Sequence, residues 1–132
     1  MRPRKAETPK DVHDSIDLVP EPKAAKAARD FVDERVRSHV PDETADVAVL
    51  LTSELVTNVV VHARTPMRLH VDVTDHAVRV AVADEVPRPP TERSNHESRL
   101  TGRGINLVKS LAAQWGVDPC PTGKTVWFEL PA

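Results

Sequence analysis

Tyrosine is absent from this chain, and aromatic residues make up only 3% of its 132 positions. Any core must therefore be built from Val, Leu, Ile and Ala. Apolar residues total 39%, enough for one such core. Cys120 is the only cysteine, which excludes a disulfide within the chain and a cysteine metal cluster. No apolar run approaches the roughly 20 residues of a membrane span. The first residues lack the apolar stretch of a secretory signal. These absences predict a cytoplasmic protein without a membrane partner. An excess of one charge is missing too: 18 basic and 20 acidic residues give a formal charge of −2. There is no basic stripe of the kind that nucleic-acid binders carry, so no direct nucleic-acid partner is expected.

The length suits one domain. A chain of this size buries roughly two-thirds of its unfolded surface and needs no staples. Residues 1–12 read as a disordered tail, with Arg2, Arg4, Lys5 and Lys10 set against Glu7. Residues 13–132 form the domain. Ser15–Val19 alternates as a short strand, ended by Pro20 and Pro22. From Lys23 to Val40 the apolar residues Ala24, Ala27, Ala28, Phe31, Val32 and Val36 fall at helical spacing. A second helix is predicted over Glu43–Ala63, apolar enough for most of its circumference to be buried. Met67–Thr74 and Val78–Ala83 alternate as two strands of a hairpin, with Asp75-His76-Ala77 as the turn. Residues 85–101 are polar, proline-rich and without period. A loop of that length in a compact domain is usually functional or disordered. Gly102–Gly116 returns to helical spacing, and Val117–Cys120 and Thr125–Leu130 close the chain as strands. The element order favours an α/β two-layer sandwich, with a helical layer on one face of a mixed, largely antiparallel sheet.

The chemistry-bearing residues are few. Glu54 and Asn58 stand four apart on an apolar helix, so their side chains share one face, and His62 continues the line. Polar groups on a buried face need partners. A magnesium ion with phosphate oxygens would serve, because magnesium takes oxygen ligands and few protein side chains. A polar line facing water explains the same pattern. Asp84 ends an alternating strand, where a ligand contact and a turn-forming role are equally plain readings. Gly102-Arg103-Gly104 opens a helix, and helix N-termini bind phosphate. Gly123-Lys124-Thr125 reads as a hairpin turn. Trp115 and Trp127 read as core anchors and Cys120 as a packed strand residue.

The order of these elements is more specific than any one of them. E-x-x-x-N on a helix, an aspartate at a strand end, a long polar loop, G-x-G opening a helix and G-x-T before the last strand resemble the GHKL ATPase family. The stretches SELVTNVVVHA, TGRGINLVKSLAAQWGV and GKTVWFEL carry the likeness, which runs from about Val12 to Leu130. Within the family the chain looks most like the small anti-sigma factor serine kinases. The resemblance implies a Bergerat fold with ATP or ADP and Mg2+ as cofactors. It implies Asn58 as the magnesium ligand and Glu54 as the general base. Asp84 would meet the adenine amino group, with Thr125 near the adenine. Gly102, Arg103 and Gly104 would cradle phosphates, and residues 85–101, with Arg88, Arg93 and Arg99, would form the lid. No glycine follows Asp84 in Asp84–Pro90, where the family's first glycine box often reads D-x-G-x-G.

Three functions remain open at this point. One is a kinase acting on a STAS-type anti-anti-sigma protein, which could also hold a sigma factor. Another is a binding module whose affinity for a partner is tuned by nucleotide. The third is a simple ATPase. The sequence leaves a homodimer open in each case.

Overall fold

The computed structural model describes residues 11–87 and 103–132. The chain order is β1 (Val12–Leu18), α1 (Ala24–Val36), a 3-10 turn (Arg37–His39), α2 (Asp42–Asn58) and a π turn (Val59–Ala63). Then come β2 (Met67–Val73), β3 (Ala77–Asp84), α3 (Arg103–Leu111), β4 (Gln114–Cys120) and β5 (Gly123–Pro131). The strands form one sheet in the order β1-β2-β3-β5-β4. Every neighbouring pair in it is antiparallel. The two-layer sandwich expected from the sequence is therefore present, with a sheet that is antiparallel throughout rather than mixed.

Period-two alternation sorts the strands into two faces. Leu69, Val71 and Val73 of β2, Val78, Val80 and Val82 of β3, and Val126, Phe128 and Leu130 of β5 are buried under the helices. From α2, Ala45, Ala48, Leu51, Leu55 and Val56 meet them, and from α1, Ala28, Phe31, Val32 and Val36. Each fully buried Val or Leu contributes about 1.5–3 kcal/mol. The stretch Asp42–Ala63 is long and apolar enough to cross a membrane by length and composition. In this fold it supplies the middle of the core instead.

The other face of the sheet is polar. His13, Asp72, Arg79 and Glu129 lie side by side across four strands. Their charges alternate, with His13 to Asp72 at 2.7 Å and Arg79 to Glu129 at 3.0 Å. The Asp72 carboxylate raises the His13 imidazole above its ordinary pKa. Trp127 sits in the next row on this face, not in the core. The Arg79 guanidinium stacks 3.9 Å from its ring. Gly116 opposes it in register, where a Cβ would lie 2.7 Å from the indole. Gly116 lies in β4 and not at the end of a helix, and its missing side chain leaves room for the indole. The chain leaves α3 at Leu111, and Ala113 N–H already bonds to Glu129 O at 2.9 Å. Trp115 is half-buried and Cys120 exposed.

The first strand begins at Val12 rather than Ser15. Asp14 hides the alternation, because it stands on the helix-facing side of β1 and is satisfied there by Arg35 of α1 at 2.7 Å. That guanidinium holds the Asp14 carboxyl below the usual carboxylate range.

Candidate functional site

The site grows from one end of the sheet. Val78, Val80 and Val82 point under the helices, and the same alternation carries Asp84 to that side at the end of β3. Its side chain is 2% exposed. A carboxylate buried so deeply must be paired. Its partner comes from the facing strand: Lys124 opposes Asp84 in register, and its ammonium donates to Asp84 Oδ2. Asp84 Oδ1 accepts the backbone N–H groups of Val86 at 3.1 Å and Lys124 at 3.3 Å.

Two further contacts fix this corner. The Thr65 hydroxyl accepts the Glu85 N–H at 3.0 Å and donates to Pro66 O at 3.0 Å. It ties the segment after α2 to the chain leaving β3. Gly123 lies against the Asp84 backbone, so closely that a Cβ would sit 2.1 Å from Asp84 O. No side chain can yield there, because the obstacle is backbone. Gly123→Ala is therefore expected to lower stability by about 1–3 kcal/mol, the usual cost of overpacking. Urea unfolding measures it, and an unchanged midpoint would show that the β4–β5 hairpin adjusts freely.

The chain runs from α2 through the π turn to Thr65 and into β2, whose start pairs with the Asp84 end of β3. Glu54 and Asn58 are both half-buried on α2, one turn apart, and α3 packs on that helix. His62 does not continue their line. The helix loosens after Asn58 into the π turn, closed by Arg64 N–H bonding to Val59 O at 2.7 Å, and His62 is exposed. Arg64 takes a left-handed conformation, φ 58°, to end the turn. π turns inside helices are frequent at functional sites.

Thr125, expected near the adenine, lies one residue out of phase with Asp84. It opposes Ala83 on the polar face of the sheet, while Lys124 takes the place beside the carboxylate. The alternation of side chains along β5 allows only one of the two to face Asp84. Arg103 and Gly104 open α3. Gly102 and the lid residues Arg88, Arg93 and Arg99 lie outside the described residues. Lys124 and Thr65 carried no mark in the sequence. Only the register of β3 with β5, and the return of the chain after α2, reveal them.

An antiparallel sheet with helices on one face and a buried carboxylate at the end of a central strand make a two-layer sandwich with a polar corner. The profile of the histidine kinase-like ATPase domain matches residues 18–130, and the chain belongs to that family. No curated protein matches it significantly. Family membership carries the binding of ATP or ADP.

The residues present fit that ligand. Asp84 is a buried hydrogen-bond acceptor, the type of group that an exocyclic amino group requires. The Asn58 amide oxygen is a hard ligand of the type magnesium takes. The N-terminal end of α3 offers backbone N–H groups to phosphate.

Proposed function

We propose that the protein is a serine kinase of the anti-sigma factor type, working in the cytoplasm. It would take Mg-ATP and place the γ-phosphoryl group on a serine of a STAS-type anti-anti-sigma partner. The observation that carries this reading is the pair Glu54 and Asn58, one turn apart and half-buried on the C-terminal half of α2. Bound ATP supplies an electrophilic γ-phosphorus and magnesium neutralises the charge on its oxygens. The chain's own groups do the rest. Asn58 would hold the metal through its amide oxygen. Asp84 would orient the base through its amino group. The start of α3, which begins at Arg103, would receive the phosphates. The Glu54 carboxylate accepts the proton of the attacking serine hydroxyl.

A second reading is a nucleotide-tuned binding module without transfer. It is supported by the ion pair that occupies Asp84 and by the absence of glycine after it. Incubation with Mg-ATP and a STAS domain, followed by mass spectrometry, separates the two. Phosphoserine on the STAS domain is the expected result. A complex whose affinity responds to ADP, with no phosphate transferred, would support the binding module instead.

A further inference from the structure

Lys124 meets the Asp84 carboxylate from the facing strand. The two side chains are 9% and 2% exposed. Among the described residues three donors reach the carboxylate: the ammonium on Oδ2, and the N–H groups of Val86 and Lys124 on Oδ1. The two backbone donors keep Asp84 oriented whatever the ammonium does. The ammonium is the strongest of the three, because it is charged and the site is largely withdrawn from water. An adenine amino group is a neutral donor. At Oδ2 it competes with a cation for a buried oxygen.

We propose that Lys124 is an internal competitor for Asp84, a residue that sets both affinity and base selection by holding the base site closed until a purine nucleotide displaces it. The proposal rests on the reading of the Asp84 end as the nucleotide site. The device suits lysine. Its flexible stem starts at the second residue of β5, at the rim of the sheet, so the ammonium can swing to water while the strand stays paired. The energy of the new amino-to-carboxylate bond is then offset by the energy of the ion pair lost. Recognition of the amino group becomes weak in the wild type, although the acceptor is present and buried.

The test compares ADP with purine riboside diphosphate, which lacks the 6-amino group, by calorimetric titration in magnesium. A hydrogen bond to a charged acceptor is ordinarily worth roughly ten- to hundredfold in affinity. In the wild type the two ligands are expected to bind within about threefold of each other, since the competitor cancels most of that preference. In Lys124→Thr and Lys124→Met the preference for ADP rises to about tenfold or more. Adding Asp84→Asn to Lys124→Thr removes it. The ratio is taken on one protein with two ligands, so a lower folded fraction leaves it unchanged. A wild-type preference of about tenfold or more overturns the competitor, even if neither variant folds, and leaves the nucleotide site standing. A preference that stays the same on substitution does likewise. Failure of ADP to bind the wild type and both variants overturns the nucleotide reading together with the proposal.

Discussion

Replacing Glu54 by glutamine is expected to lower phosphoryl transfer to a STAS-type partner by about 10²–10⁴, the usual effect of removing a general base. The substitution keeps the shape and the hydrogen-bonding reach of the side chain and removes its ability to accept a proton. Glu54 is half-buried on α2, one turn before Asn58, so the change should leave the core residues Leu51, Leu55 and Val56 undisturbed. Nucleotide affinity should therefore hold, and the loss should appear in turnover alone. Single-turnover phosphorylation with radiolabelled ATP measures the rate, and calorimetry on the same sample measures binding. Transfer at the wild-type rate would rule out Glu54 as the base. Loss of binding in parallel with rate would give Glu54 a structural role instead.

Asp84→Ala should have the largest effect on stability. Removing one member of a buried ion pair typically costs about 3–5 kcal/mol where the other charge is left in the interior, and less to the extent that the Lys124 ammonium swings to water at the rim of the sheet. Against a total of about 5–15 kcal/mol for a domain, that is a large fraction. The Val86 and Lys124 N–H groups would lose their acceptor as well. The double variant Asp84→Ala with Lys124→Met should recover much of the loss, since no charge is then stranded. Urea unfolding of the wild type, both single variants and the double variant gives the coupling directly. A loss below about 1 kcal/mol in Asp84→Ala would mean that the Lys124 ammonium reaches water at little cost, and that the pair contributes no more than a surface bridge.

The positions of the candidate residues Glu54, Asn58 and Asp84 in the fold were legible because they lie on strongly periodic elements. Glu54 and Asn58 needed only the helical period to be placed together. Asp84 needed only the alternation of Val78, Val80 and Val82. Lys124 was not legible, and Thr125 took its place, for a common reason. Alternation tells which residues of β5 share a face, but not which face meets Asp84. That depends on pairing register, and a shift of one residue exchanges the two sets. His62 was misplaced because the sequence VVVHA carries no visible sign of a π turn, which is settled by how the helix end meets the sheet. Trp127 was expected in the core because aromatic rings bury large areas. It lies instead on the polar face, where Arg79 and Gly116 cover it.

The sequence by itself determined the two-layer architecture, the long apolar helix and the central hairpin, although that helix buries one face and, with its π turn, leaves Leu50 and Val61 exposed. These depend on spacing along the chain, which hydrophobic burial converts into faces of helices and strands. Only the tertiary structure decided that Lys124 rather than Thr125 faces Asp84, that Thr65 anchors the start of the loop after β3, and that Asp14 is a strand residue paired with Arg35. Each of those joins residues on different elements, 20 or more positions apart. Such contacts are set by register and packing, and local periodicity carries no information about either.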